Sequence, residues 1–201
     1  MDQFFKMIEY RKELKLAFSD LELEDFKTFY NFELKRLFKT REITSWYFDT
    51  NNFKLYNDSF DTDVDKFKFR YRTYSNDNVL YKEIKENTQL GKYKQKEKTL
   101  FRDISEIKHV THKGLMLSPC LKIVYTRNYY EYKNVRITID NNIIFENTKN
   151  RSKHVSRFFL DKNIVEFKIL NVKDTEIEKN IPLNTISFSK YSFGVKKIYN
   201  L

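Results

Sequence analysis

Cysteine, proline and glycine are nearly missing from this chain, with one Cys, two Pro and three Gly in 201 residues. The single Cys120 excludes an internal disulfide framework, so nothing in the sequence requires an oxidising compartment. So little proline and glycine excludes a low-complexity or disordered chain, and no Gly-, Ser- or Pro-rich linker divides the sequence. The length suits one domain with a substantial core, so a single domain over 1–201 is expected. Long apolar runs are missing too. No stretch approaches the roughly 18 apolar residues of a membrane helix, and the charged start Met1–Tyr10 lacks a signal-peptide core. The expected address is the cytoplasm.

What the chain has in quantity is aromatic side chains and positive charge. Its 19 Phe and 14 Tyr supply ample apolar area to drive folding. Its 38 Lys and Arg against 28 Asp and Glu leave a formal charge of +10, which predicts an anionic partner: nucleic acid, a membrane surface or a phosphorylated small molecule.

Periodicity then assigns elements. From Tyr10 to Phe18, Tyr10, Leu14, Leu16 and Phe18 share one parity and Glu9, Arg11, Glu13 and Lys15 the other, which is a strand with one apolar and one charged face. Ser19-Asp20-Leu21-Glu22 reads as a capping box. Leu23, Phe26, Tyr30, Leu34 and Leu37 follow at helical spacing, so a helix is predicted over about 20–38. Strand-like runs then cover Ile43–Asp49, Lys66–Tyr74, Val79–Glu86, Lys92–Phe101, Leu121–Tyr132, Val135–Phe145 and Ile164–Leu170. Turns are expected at Ser75-Asn76-Asp77-Asn78, Tyr132-Lys133-Asn134 and Asn141-Asn142. Short helices are expected at 103–109 and near Pro182–Ile186. Eight or so strands with few helices predict a mainly β barrel or sandwich.

The distribution of charge on these strands is uneven. Lys68, Arg70 and Arg72 oppose Phe67, Phe69 and Tyr71; Arg136, Thr138 and Asp140 oppose Val135, Ile137 and Ile139. Glu166 and Lys168 oppose Val165, Phe167 and Ile169. Tyr81, Glu83 and Lys85 share one parity, as do Lys92, Lys94, Lys96 and Lys98. A half-solvated antiparallel sheet also alternates charged with apolar residues. These faces, however, repeat Arg-x-Arg, Glu-x-Lys and Lys-x-Lys, and like charges across a ladder are destabilising unless something neutralises them. A bound polyanion would do so: Arg offers a planar fork to phosphate oxygens and Lys a compact charge. Carboxylates among such cations suit a hard divalent ion bridging carboxylate and phosphate oxygens. Simple cross-strand ion pairing accounts for the pairs Glu13/Lys15, Glu83/Lys85 and Glu166/Lys168 equally well.

In order along the chain, Arg11-Lys12-Glu13-Leu14-Lys15, Tyr47-Phe48-Asp49-Thr50 with Leu55-Tyr56, and Phe69-Arg70-Tyr71-Arg72 resemble the vacuolar transporter chaperone (VTC) domain. So do Tyr81-Lys82-Glu83-Ile84-Lys85, Pro119 with Tyr125-Thr126-Arg127, and Val135-Arg136-Ile137-Thr138-Ile139-Asp140. Val165-Glu166-Phe167-Lys168 and Phe188-Ser189-Lys190-Tyr191-Ser192 complete the series. That family is the polyphosphate polymerase branch of the triphosphate tunnel metalloenzymes. The resemblance implies a closed antiparallel eight-stranded β-barrel tunnel with helices packed outside. It also implies transfer of the ATP γ-phosphate to a growing inorganic polyphosphate chain with Mn2+ or Mg2+. By the same resemblance Lys15, Arg70, Arg72, Lys85, Arg127, Arg136, Lys168 and Lys190 fall on phosphate-binding positions and Glu166 on the metal ligand. Glu13 and Glu83 are further candidates for the metal. Arg11, Lys94, Lys96 and Lys98 are further candidates for phosphate, with Lys96 preferred among the three lysines. The short stretch between Lys168 and Lys190 implies a closing helix reduced to a turn around Pro182.

Three other readings stand beside it. A triphosphatase on the same barrel is disfavoured by the first strand, where hydrolytic members of the superfamily carry a fuller Glu-x-Glu-x-Lys. A nucleic-acid-binding barrel would place bases and aromatics on one exposed face, whereas Lys68, Arg70 and Arg72 oppose the Phe/Tyr set; no nucleic acid is therefore expected. A tunnel that binds polyphosphate without turnover is the last. His109, His112 and His154 are assigned to surface or structure, the first two in a basic stretch without a nearby carboxylate. Cys120 reads as a small buried hydrophobe, Trp46, Tyr47 and Phe48 as core aromatics. Tyr129, Tyr130 and Tyr132 offer rings to an adenine, although an aromatic-rich β protein would show such a cluster anyway.

Overall fold

The computed structural model describes residues 12–30, 34–89, 91–149, 157–169 and 184–201. Among the described residues the elements run β1 (Lys12–Phe18), α1 (Asp20–Tyr30), β2 (Lys35–Asp49), α2 (Lys54–Asp58), β3 (Lys66–Tyr74), β4 (Asp77–Thr88) and β5 (Gly91–Lys98). After a 3-10 turn (Ile104–Glu106) come β6 (Val110–His112), β7 (Leu115–Tyr132), β8 (Val135–Asn147), β9 (Arg157–Phe159), β10 (Asn163–Ile169) and α3 (Lys190–Tyr199). The ladder order is β1-β10-β8-β7-β2-β3-β4-β5, with β6 on β7 and β9 on β8. Every pairing whose register is defined is antiparallel. Among the described residues no ladder joins β1 to β5, so hydrogen bonds do not close this mainly β sheet into a ring. No described helix is long and apolar enough to cross a membrane.

The chain divides into two compact units. The first comprises the described residues within Met1–Thr40, Arg127–Asn141 and Lys162–Ser187. Its core joins Leu16 of β1, Leu23, Phe26 and Tyr30 of α1, Val135, Ile137 and Ile139 of β8, and Val165, Phe167 and Ile169 of β10. Helix α1 forms because Leu23, Phe26 and Tyr30 fall on one stripe and because Ser19 and Glu22 close a capping box. The Ser19 amide donates to Glu22 Oε2 at 2.6 Å and the Glu22 amide to Ser19 Oγ at 3.3 Å. Its stripe packs edge-on against the sheet, Phe26 on Phe167 and Tyr30 on Tyr132, with centroids 6.0 and 5.1 Å apart. The helix is shorter than its periodicity predicts. Its described part ends at Tyr30, the Leu34 amide donates to the Tyr30 carbonyl at 3.0 Å, and Lys35 already belongs to β2, so Leu37 fits the helical spacing by coincidence. Leu34 packs against the same core.

The second unit comprises the described residues within Arg41–Thr126, Asn142–Asp161 and Phe188–Leu201. One core gathers Phe48, Leu55, Phe67, Phe69, Tyr71, Leu80, Ile84, Ile107 and Leu117. Two-residue turns form where side chains tolerate a left-handed backbone: Lys113-Gly114, at φ 48° and 73°, returns β6 onto β7. The helix expected at 103–109 is one 3-10 turn capped by Asp103, because Ile107 is already extended and leads into that hairpin. The turn expected at Asn141-Asn142 is instead a left-handed kink at Asn142 (φ 51°) inside β8. Residues 170–183 lie outside the described residues, so the turn expected around Pro182 lies outside them as well.

Helix α3 is an addition to the predicted elements. Ser189 caps it by accepting from the Ser192 amide at 3.3 Å, and Tyr191, Gly194, Val195 and Ile198 form its buried stripe. A Cβ on Gly194 would lie 2.4 Å from Phe145 Cδ1 and 2.7 Å from Leu121 Cδ2. Gly194→Ala therefore trades a helix-propensity gain of about 1 kcal/mol against overpacking worth roughly 1–3 kcal/mol. The expected outcome is a melting temperature lowered by a few degrees; a higher one would show that α3 shifts freely on Phe145.

Candidate functional site

In the second unit, register stacks charges on the face opposite the Phe67/Phe69/Tyr71 core. Lys68 pairs with Lys85 and Lys85 with Lys94; Arg70 pairs with Glu83 and Glu83 with Lys96; Arg72 pairs with Tyr81 and Tyr81 with Lys98. Glu83, 2 % exposed, is the carboxylate at the centre. Arg70 grips it through Nε and Nη2 at 2.9 and 2.5 Å, and Arg72 Nη1 and Lys94 Nζ each approach it to 3.5 Å. Burial alone would raise the Glu83 pKa, but Arg70, Arg72 and Lys94 overcome it and hold the carboxyl down to about 2. Arg72, 6 % exposed, is fixed further by Ser45 Oγ at 2.9 Å and Tyr125 Oη at 3.2 Å.

Tyr47 connects this cluster to the scaffold. Its Oη accepts from Arg70 Nη1 at 2.6 Å, and its ring stacks on Tyr191 with centroids 5.0 Å apart. The Tyr191 hydroxyl donates to Asp49, which also accepts from the Leu55 and Tyr56 amides at 2.9 and 3.1 Å and so caps α2. The run Tyr47-Phe48-Asp49 thus divides its work by strand parity and capping chemistry: Phe48 enters the core, Asp49 anchors two helices, and Tyr47 carries its hydroxyl to Arg70. Burial would raise the Tyr47 pKa, but Arg70, Arg72 and Lys68 outweigh it and bring it to about 8. Lys94 is also brought to about 8, by desolvation and by the Arg70 and Arg72 charges against the pull of Glu83. Around this centre Lys96 lies over the Tyr81 and Tyr74 rings at 4.0 and 4.7 Å. Lys190 lies 5.0 Å from the Tyr125 centroid, and Lys68 Nζ donates to Ser189 Oγ at 2.8 Å. Lys85 and Lys98 are exposed.

The first unit carries a different charged face. Glu13 pairs with Lys168 and Lys15 with Glu166 across β1 and β10, while Glu166 pairs with Thr138 and Lys168 with Arg136 across β10 and β8. Lys168 Nζ stands 3.0 Å from Glu166 Oε1 and 3.9 Å from Glu13 Oε1. Arg127 forms a bidentate pair with Asp140, at 2.5 and 2.7 Å, which fixes the side-chain direction that strand alternation leaves open. Burial would raise the Glu166 pKa, yet Lys168, Arg127 and Lys15 lower it, so the group is an anionic oxygen donor at neutral pH. Arg136 is exposed.

These groups allow a divalent ion within limits. Glu13 and Glu166 are hard oxygen donors on neighbouring strands of one face, and Mg2+-type ions are commonly held by one or two carboxylates plus substrate phosphates. Among the described residues no cluster of three or more His, Cys, Asp or Glu exists, so phosphate and water oxygens would complete the shell. Glu83 is the poorer donor, because its cationic neighbours would repel a second cation.

The VTC domain model matches residues 10–103 and 86–199. The chain belongs to the VTC domain family. A putative adenylate cyclase from Bacillus halodurans is similar at 12 % identity and TM-score 0.61, over 95 % of this chain and 98 % of that one. The PH1819 protein from Pyrococcus horikoshii matches at 17 % identity and TM-score 0.56, over 94 % and 99 % of the two chains. A putative adenylyl cyclase from Hippeastrum, described as having a dominant triphosphatase activity, matches at 13 % identity and TM-score 0.53, over 94 % and 96 %. At these identities the three show the fold alone. Comparison with curated proteins found no match.

Several sequence-predicted positions of this VTC domain fall into two groups. Arg70, Arg72, Glu83, Lys85, Lys94, Lys96, Lys98 and Lys190 belong to the second unit; Glu13, Lys15, Arg127, Arg136, Glu166 and Lys168 belong to the first. Arg11 and His154 lie outside the described residues. The histidine reading changes in one respect, while Cys120 is buried as expected. His112 does have a carboxylate neighbour, Glu86 at 3.5 Å, because β4 brings it there. Cys120 is fully buried, and burial with the nearby Asp49 pushes its thiol well above the usual range. Tyr132 and Tyr130 pack in the first core, leaving them to structure. Tyr47, Ser45, Tyr125 and Ser189 touch the basic cluster without having been singled out as site residues. For Tyr47 and Ser45 the available signal was parity, since each faces a charged strand neighbour across β3.

Anion affinity of the free VTC domain should fall as pH rises from 7 to 9. Near pH 8 Lys94 gives up a positive charge and Tyr47 gains a negative one, whereas an ordinary lysine near 10.4 would hold its charge over that window. Calorimetric titration with inorganic triphosphate should show a loss of roughly tenfold across the window that the double variant Lys94→Gln, Tyr47→Phe lacks. Parallel profiles for the two proteins would contradict the assignment.

Proposed function

We propose that this VTC domain is a metal-dependent polyphosphate polymerase, moving the γ-phosphoryl group of ATP onto the end of a growing inorganic polyphosphate chain. The observation that carries the reading is the concentration of cations on one face of β3, β4 and β5. Lys68, Arg70, Arg72, Lys85, Lys94 and Lys96 surround the buried Glu83. Such a surface suits a substrate with many phosphoryl oxygens. The closed tunnel belongs to the same reading, with the chain acting as one VTC domain.

The chemistry asked of the protein is modest. The bond between the γ-phosphorus and the ADP oxygen breaks as one forms to a terminal oxygen of the chain, and ADP leaves; no covalent protein intermediate is needed. Arg70 and Arg72, held by Glu83, Tyr47, Ser45 and Tyr125, are pre-oriented donors for equatorial oxygens. The first unit's face carries cations of its own, Lys168 and Arg136. A bound Mn2+ or Mg2+, for which Glu166 with Glu13 are the candidate ligands, would neutralise developing charge on phosphoryl oxygens.

A triphosphate hydrolase is the second reading, favoured by the triphosphatase description of the Hippeastrum neighbour. The sequence Arg11-Lys12-Glu13-Leu14-Lys15 counts against it, with Glu13 and Lys15 present but arginine rather than a further glutamate at position 11. Nucleic-acid stacking is disfavoured on different grounds from those the sequence offered. Tyr47, Tyr74, Tyr81 and Tyr125 do accompany the cations, but their hydroxyls and ring faces are engaged by Arg70, Arg72, Lys96 and Lys190.

Incubation with ATP and Mn2+, followed by gel and 31P NMR analysis, should yield long-chain polyphosphate and ADP. The variant Arg70→Ala, Arg72→Ala, Glu83→Gln should lose at least about 100-fold in rate. Two charge-assisted contacts at about 1.5–3 kcal/mol each account for that loss. Including Glu83→Gln avoids leaving a buried unpaired carboxylate, and melting curves verify folding. ADP and orthophosphate with no polyphosphate would replace the polymerase reading with the hydrolase.

A further inference from the structure

Thr138 is 1 % exposed, and its hydroxyl has no hydrogen-bond partner among the described residues. Its neighbours Ile137 and Ile139 enter the apolar core of the first unit, so alternation turns Thr138 to the opposite face. There it stands across from Glu166, in a row with Arg136 and Asp140 on its own strand. The carboxylates of this face are engaged elsewhere: Glu166 is met by Lys168 at 3.0 Å and Asp140 by the Arg127 fork. A buried hydroxyl without a protein partner is costly, and native structures rarely keep one without a use for it. The same face carries the cations Lys15, Arg136, Lys168 and Arg127 beside carboxylates already paired, and a hydroxyl donor there is complemented by an anionic oxygen.

We propose that Thr138 is a ligand-contacting residue of this face, its hydroxyl donating a hydrogen bond to a phosphoryl oxygen of the bound condensed phosphate. The inference rests on the phosphate-binding reading of the face. A short neutral donor adds little charge neutralisation beside lysine and arginine; what it adds is direction. A β-branched side chain in a strand has little rotamer freedom, so Thr138 fixes one oxygen position at the floor of the charged row.

The test compares wild type, Thr138→Val and Thr138→Ser by thermal melting of the free protein and by calorimetric titration with inorganic tripolyphosphate, with Mg2+ and with chelator. Valine keeps the branched shape and removes only the hydroxyl. The expected result is a Thr138→Val melting temperature equal to or above wild type, with tripolyphosphate bound about tenfold more weakly. Thr138→Ser should bind within about twofold of wild type. Two results overturn the inference while leaving the phosphate face standing: Thr138→Val binds as tightly as wild type, or it melts well below it, which would assign the hydroxyl to a structural bond. If wild type itself binds no tripolyphosphate, the reading of the face fails and the inference fails with it.

Discussion

The buried carboxylate of Glu83, held by Arg70, Arg72 and Lys94, is the interaction on which the second unit's charged face depends. Lys68, Lys85 and Lys94 occupy successive register positions, so three ammonium groups face one another across the ladder beside two guanidiniums. A pair of unit charges 4 Å apart near a protein surface interacts by about 4 kcal/mol, and here most pairs repel. One fully desolvated carboxylate cannot cancel the surplus, but it orders the two arginines and removes the worst of the repulsion. On the proposed reading an anion with several charged oxygens would add further neutralisation. A face held in this condition is costly to fold and well prepared to bind.

The first unit resolves its charges differently. Lys15, Lys168, Arg136 and Arg127 are interleaved with Glu13, Glu166 and Asp140, so the face is near neutrality. Near balance suits a place where carboxylate oxygens, a divalent cation and phosphate meet, because no one sign dominates. The second face suits plain phosphate recognition. The difference comes from Arg-x-Arg on β3 of the second unit, since Glu-x-Lys occurs on β1, β10 and β4 alike, and it needs no unusual backbone at any of these residues.

Much of this was legible in alternation. Lys66–Tyr74 is a strand with the predicted boundaries and the predicted faces, and Val135, Ile137 and Ile139 enter the core opposite Arg136, Thr138 and Asp140. The capping box at Ser19 and Glu22 marked the start of α1. The start of β2 was not legible, since Leu37 satisfies the helical period yet lies in that strand. Helix α3 carried its own signals, a Ser189 cap and the spacing of Tyr191, Val195 and Ile198, within a segment first noticed for its lysine. Tyr47 was hidden for another reason. An aromatic next to Phe48 reads as core, and only the register with Arg70 reveals that its hydroxyl leaves the core for the charged cluster. Thr138 was visible as a polar residue on the charged parity, but its lack of a partner is a property of the folded state alone.

The central claim is that these faces are organised for a condensed phosphate rather than for negative charge in general. The most direct measurement is the affinity of the wild-type protein for tripolyphosphate, orthophosphate and sulfate, by calorimetry at one ionic strength near 0.15 M. Pre-oriented multidentate binding predicts that tripolyphosphate is held at least about 100-fold more tightly than either single-centre anion, and that the preference persists as salt is raised. Similar weak affinities for all three, vanishing together with added salt as screened surface charge does, would contradict it.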